Sequence, residues 1–349
     1  MSIIAVAIKL LELMMSASKT VKIMSRGRLI DAKRRLLLRN GAAIALSGAA
    51  VALVAGREAL AQSTTASPAD LHNSAPTRFQ DIGGIRLAYR RFGKEGATPV
   101  VCLQHFAGTM NNSDPIHTNR LAEDRPVILV DYRGVGRSEG QTPDSVPGLA
   151  SDIIAFIRAL GVEQVDVFGF SLGGFVAQQI ALDAPELVRR LLLVGTGPAG
   201  GEGMQAYTPQ VTEIIARPNA TGEQRRQELF FATSATSQAA GKAWLARITA
   251  RQIDREPDPT PQAVQAEFAA ITRWGRMPSD RYAALKKITQ RTLVVNGGDD
   301  IMVPTVNSFI LQQRLPDARL ILFPDSGHGA HFQYPDEFAE AAVRFLGAA

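Results

Sequence analysis

Residues 165–180 read as a short apolar strand, Val165-Asp166-Val167-Phe168, a G-x-S-x-G turn, Gly169-Phe170-Ser171-Leu172-Gly173, and an amphipathic helix from Gly174 to Ile180. A turn this sharp lifts a serine clear of the end of a sheet, and its strain is tolerable only with small neighbours. Glycine at 169 and 173 removes the Cβ atoms that would collide across the turn. The helix that begins there points unpaired backbone N–H groups towards developing negative charge. Ser171 is therefore the candidate nucleophile.

Beyond residue 76 strand and helix patterns alternate. Segments 79–82 and 85–92 flank Gly83-Gly84, a hairpin signal. Segments 100–103, 127–130, 165–168, 191–194, 292–295 and 320–323 are short apolar runs, which suit strands buried on both faces of a mainly parallel sheet. Helical patterns such as 150–160 and 309–315 lie between most of them. The expected class is α/β, a mostly parallel sheet with helices on both faces. One interval breaks the rhythm. Between 194 and 292 the chain is mostly helical, with patterns at 227–232, 239–252 and 261–271, far more than one crossover needs. Residues 199–285 are expected to form an inserted helical cap that shapes a substrate pocket and excludes water. It divides a core of 77–198 and 286–349. Phe230, Phe231, Trp244, Phe268 and Trp274 are candidate pocket walls, with packing inside the cap as the alternative.

The N-terminal residues have a different character. Residues 1–61 hold ten Lys and Arg against three acids, and the chain as a whole carries +5, so the remainder carries −2. The body has no basic excess that would serve nucleic acid. Lys33-Arg34-Arg35 precedes a mild apolar stretch from Gly41 to Gly56 and an Ala59-Leu60-Ala61 end, the layout of a secretory signal with a twin-arginine-like pair. Cleavage after Ala61, a passage through the twin-arginine export machinery, and a periplasmic or secreted product are expected. The stretch is too short and too rich in Ala and Gly for a permanent span. Residues 1–23 add nothing to this signal, and Met24 is the expected start. Residues 62–76, rich in Ser, Thr, Ala and Pro, read as a flexible linker. The single Cys102 lies in an apolar run and is expected to be a buried core residue.

A serine hydroxyl needs a base within hydrogen-bond reach, and the base needs a third group to fix its tautomer. His328 stands between glycines in Ser326-Gly327-His328-Gly329, after the last strand; His331 is its rival. The acid is sought after the preceding strand, where Asp299 and Asp300 both qualify. The N–H of Leu172, just after the nucleophile, is one expected oxyanion donor. Neither a suitably placed G-x-G-x-x-G nor H-E-x-x-H occurs, so no metal or organic cofactor is expected.

The order Ser171, Asp300, His328 resembles that of the α/β-hydrolase superfamily, and the chain beyond the leader looks like its capped, single-domain bacterial esterases and cofactor-free haloperoxidases. The family's acid lies in G-x-x-D-x-x-x-P, which Gly297, Asp300 and Pro304 match, so the resemblance selects Asp300 and leaves Asp299 facing solvent. Asp131-Tyr132-Arg133-Gly134-Val135-Gly136-Arg137-Ser138 matches a structural loop in which Arg133 is expected to pair within the loop. Where relatives carry His-Gly after the third strand, this chain has Gln104-His105. A gapless match makes Phe106 the other oxyanion donor; a shift by one residue would make it Ala107. His105 is expected to serve a structural hydrogen bond. The resemblance implies an esterase acting on a small or medium apolar acyl ester or a lactone. Transfer to peroxide, or enol-lactone or C–C bond hydrolysis, are alternatives. Some relatives only bind ligands, but a complete triad argues against that role.

Overall fold

A computed structural model describes residues 70–276 and 282–347. The leader, its Ala61 end and residues 62–69 lie outside them. The described strands form one eight-stranded sheet, β1 (Arg78–Asp81), β2 (Arg86–Gly93), β3 (Val100–Leu103), β4 (Pro126–Val130), β5 (Val165–Phe170), β6 (Val188–Val194), β7 (Arg291–Gly297) and β8 (Ala318–Phe323), in the order β1-β2-β4-β3-β5-β6-β7-β8. β1 and β2 form the antiparallel hairpin across Gly83-Gly84, and β2 pairs antiparallel with β4. Every other pairing is parallel.

All residues of β3, β4 and β5 are buried, which is why these runs are almost wholly apolar rather than alternating; the exception, Asp166 on β5, is paired with Arg125 and Arg189. Successive side chains still point to opposite faces. Val101, Leu103, Ile128 and Val130 enter one apolar core, while Val100, Cys102, Val127 and Leu129 enter the other. Full burial of such an aliphatic side chain stabilises the fold by roughly 1.5–3 kcal/mol. Cys102 is one of these residues, and burial pushes its thiol pKa up.

Outside the insert lie the helices α1 (Leu71–Ser74), α2 (Pro115–Ala122), α3 (Val146–Ala159), α4 (Leu172–Asp183), α9 (Val306–Arg314), α10 (Ala330–Gln333) and α11 (Pro335–Gly347). The first corrects the linker expectation. Residues 70–75 are anchored: the His72 ring bonds Thr118 Oγ1 at 2.8 Å, and the Arg251 guanidinium donates to the carbonyls of Asn73 at 2.6 Å and Ala75 at 2.8 Å. A composition that suits a linker is overridden here by an arginine far along the chain.

Between β6 and β7 lie α5 (Pro209–Ala216), α6 (Gly222–Phe230), α7 (Ala235–Ile248) and α8 (Pro261–Trp274). Each starts at a Ser or Thr whose hydroxyl accepts an orphan N–H: Thr208 from Val211, Thr221 from Gln224, Ser234 from Ser237 and Thr260 from Ala263. Such caps are worth about 1 kcal/mol each. The insert is tied to loops that follow core strands. Arg247 binds Asp114 after β3 at 2.9 Å, Arg137 after β4 pairs with Asp254, and the Phe230 carbonyl accepts the Gly329 N–H after β8 at 2.7 Å.

Candidate functional site

Ser171 sits between β5 and α4 with φ 55 and ψ −116, a backbone conformation that L-residues avoid. Its surroundings hold it there. The Ser171 N–H donates to Val194 O at 2.9 Å, and its carbonyl accepts the Thr196 hydroxyl at 2.9 Å. The glycines on either side are sterically required. A Cβ at 169 would strike the Gly173 carbonyl across the turn, and one at 173 would strike the Leu103 carbonyl at the end of β3. The second glycine thus serves the docking of α4 against β3 as well as the turn.

Ser171, His328 and Asp300 form one continuous hydrogen-bonded chain. Ser171 Oγ is 2.9 Å from His328 Nε2, and His328 Nδ1 is 2.8 Å from Asp300 Oδ2. A carboxylate only accepts, so Nδ1 carries the hydrogen and Nε2 is the acceptor for the serine hydroxyl. The other carboxyl oxygen, Asp300 Oδ1, accepts the N–H groups of Met302 at 2.8 Å and Val303 at 2.9 Å, which fixes its rotamer. Asp299 is exposed, and its N–H donates to Ser326 O at 2.9 Å, tying the acid loop to the histidine loop. The His328 ring lies against Phe170 and, from the insert, Phe230.

His331 does not join this chain. It is buried with its ring 4.4 Å from Phe170 and 5.6 Å from His117, and desolvation holds its pKa well below the ordinary value. His105 is also buried, and burial lowers its pKa to about 3. The neutral ring donates from Nδ1 to Phe106 O at 2.8 Å. Arg133 departs from expectation: it reaches out of its loop to Asp152 on α3, at 2.8 Å. Of the five aromatic candidates in the insert, Phe230 meets His328, and Phe268 faces Phe106 at 6.2 Å. Trp244 packs on Phe231 and stacks on Phe332, while Trp274 stacks on Phe175 of α4.

The two candidate N–H groups of the 104–108 segment differ in their partners. The Ala107 N–H is already engaged, donating to Glu267 Oε2 at 2.8 Å. Among the described residues no protein acceptor meets the N–H of Phe106 or of Leu172. Glu267 itself was not anticipated. Its carboxyl is fully buried, and desolvation raises its pKa to about 8. A signal was present: Ala263, Glu267, Ala270 and Trp274 share the buried face of α8, so a charged residue occupies a core position of a helical pattern. Among the described residues no group of three or more His, Cys, Asp or Glu is arranged to hold a metal ion.

The profile of the α/β hydrolase fold family matches residues 98–335. The chain is 33% identical over 216 residues to a pimeloyl-(acyl-carrier protein) methyl ester esterase of Nitrosomonas europaea, covering 60% of this chain and 80% of that protein. It is 30% identical over 232 residues to a 2-hydroxy-6-oxo-6-phenylhexa-2,4-dienoate hydrolase of Comamonas testosteroni, covering 63% and 76%. Among solved structures, an alpha/beta hydrolase fold protein from Chitinophaga pinensis superposes with a TM-score of 0.75 at 39% identity, covering 80% of this chain and 99% of that one.

Proposed function

We propose, from the premise that this chain belongs to the α/β-hydrolase fold family, that it hydrolyses carboxylic esters through an acyl-enzyme on Ser171. The observation that carries the reading is the unbroken Ser171–His328–Asp300 chain, with both contacts under 3 Å; the Phe106 and Leu172 N–H groups, which meet no protein acceptor among the described residues, support it. Ser171 Oγ attacks the ester carbonyl as His328 Nε2 takes its proton. Asp300 holds the imidazole and offsets the imidazolium charge. The N–H groups of Phe106 and Leu172 receive the tetrahedral oxyanion; losing one such donor typically costs on the order of 10²–10³ in turnover. The imidazolium then protonates the departing alcohol. Water, deprotonated by the same histidine, releases the acid.

The insert is read as a lid, and the Phe230 and Phe268 rings favour an apolar acyl group. The leader's paired arginines support work outside the cytoplasm. In the test, purified protein turns over p-nitrophenyl butyrate and Ser171→Ala abolishes it; a Ser171→Ala protein of unchanged rate overturns the reading. The Comamonas relative supports a second reading, hydrolysis of a C–C bond. It prevails if a dienoate substrate is cleaved faster than every member of an ester and lactone panel. Peroxide-dependent halogenation in the same preparation would mark acyl transfer to peroxide instead.

A further inference from the structure

A buried carboxyl is an expensive occupant for a helix face that otherwise carries Ala263, Ala270 and Trp274. Its placement explains its presence. The N–H of Ala107 and the carbonyl of Phe106 belong to one peptide unit, and both ends of that unit are held. Glu267 Oε2 accepts the N–H at 2.8 Å, and His105 Nδ1–H donates to the carbonyl at 2.8 Å. The preceding peptide unit is held at one end only: Gly108 N–H donates to His105 O at 3.0 Å, while the Phe106 N–H has no protein acceptor among the described residues. Ala107 itself has φ 54, a left-handed conformation disfavoured for alanine and so in need of restraint. The next residue on the helix, Phe268, lies against Phe106. Two adjacent side chains of α8 therefore fix two adjacent residues of the 104–108 loop, across about 160 residues of sequence. Glu267 Oε1 has no partner among the described residues.

We propose that Glu267 is a positioning residue for acyl transfer: from the insert it clamps the Phe106–Ala107 peptide, and so aims the Phe106 N–H at the oxyanion when the insert is seated. This inference rests on Ser171 being the acyl-transfer nucleophile. The clamp needs an acceptor, not a charge, and burial keeps the carboxyl neutral to about pH 8. A neutral acid accepts the N–H through its carbonyl oxygen, as a glutamine amide would.

The test uses the full chain and a fluorophosphonate probe that forms a covalent bond with an activated serine, together with p-nitrophenyl butyrate kinetics normalised to labelled sites. Glu267→Met keeps the volume and removes the acceptor. It is expected to slow labelling of Ser171 and lower kcat by about 10–100-fold with KM nearly unchanged, the pattern of a lost transition-state contact. Glu267→Gln is expected to rescue the rate to within about threefold of the original, because the acceptor returns. Should Glu267→Met fail to fold, His105→Phe, which frees the other end of the same peptide, carries the same expectation. Labelling of Glu267→Met at the original rate overturns the clamp, as does a Glu267→Gln protein as slow as Glu267→Met. Failure of the unaltered protein to label at Ser171 overturns the underlying reading instead.

Discussion

The serine turn and the 104–108 loop of the candidate site are held in different ways. Ser171 and Asp300 ride on loops of the core sheet, and the bonds that fix them stay within the core; the His328 loop is held from the insert as well, its Gly329 N–H donating to Phe230 O at 2.7 Å. Ser171 N–H goes to Val194, Asp299 N–H to Ser326, and Asp300 Oδ1 takes the N–H groups of Met302 and Val303. The 104–108 loop instead takes one of its restraints from Glu267 on the insert. The strained serine turn is held by the sheet, whereas the loop that carries the Phe106 N–H is tied to the insert. A shared fold hosts many chemistries, so the substrate has to be argued from the groups around the strand ends.

The largest expected effects fall on the Ser171–His328–Asp300 chain. Ser171→Ala and His328→Ala should each lower kcat for p-nitrophenyl butyrate by about 10⁴-fold or more, and Asp300→Asn by about 10³–10⁴-fold, with the melting temperature little changed. Near-normal rates in Asp300→Asn would move the acid elsewhere. Gly173→Ala should damage the serine turn and the 104–108 loop at once, because its Cβ meets a backbone carbonyl of β3 that cannot swing away. A loss of several kcal/mol in urea unfolding, with little soluble active protein, is expected. A stable, active Gly173→Ala protein would show that α4 can shift from β3 at no cost to the nucleophile.

Loosening the insert is the next step down. The Asp114 side chain is fully buried, and Arg247 is its ion-pair partner from α7. Arg247→Met should cost about 3 kcal/mol in equilibrium unfolding by stranding that carboxylate. Because the insert holds both the 104–108 loop and, through Phe230 O, the Gly329 N–H beside His328, the same change should also slow catalysis. Full activity in Arg247→Met would mean the seating of the insert does not matter.

The smallest effects are read in the pH dependence of stability. His72, His105 and His117 have pKa values lowered to about 3 by burial, and His331 is lowered as well. The unfolded chain therefore binds more protons between the ordinary value of 6.5 and about 3. The stability these groups contribute is present above 6.5 and lost as pH falls through 3. Glu267 works in the other direction. Its folded pKa of about 8 exceeds the ordinary 4.5, so its contribution is complete below 4.5 and lost as pH rises through 8. Urea unfolding should show Glu267→Gln gaining on the unaltered protein at pH 9 and matching it near pH 4.5. Equal differences at both pH values would contradict the buried neutral carboxyl.

The same contrast separates what was legible in the sequence from what was not. The strands, the Gly83-Gly84 hairpin, Ser171 and His328 rest on local signals: apolar runs, glycine turns, and loops directly after strands; Asp300 is separated from Asp299 only by the resemblance of Gly297, Asp300 and Pro304 to the family's acid segment. Local signals failed where a distant side chain decides the outcome. Arg251 turns an apparent linker into an anchored α1, and Arg133 finds Asp152 on α3 instead of a partner in its own loop. A gapless match offers Phe106 and a shift by one offers Ala107; that the Ala107 N–H is occupied by Glu267 of the insert is something spacing could not show. Glu267 announced itself only as a charge on an apolar helical face, and its partner lies too far along the chain for any motif to include.

The most direct measurement is the site and rate of covalent labelling by a fluorophosphonate, followed by peptide mapping. One adduct per chain on Ser171, forming at least about a thousandfold more slowly in His328→Ala, is the predicted result. An adduct on another residue, or equal labelling of Ser171 with and without His328, would contradict the nucleophile–base pair on which the proposed function stands.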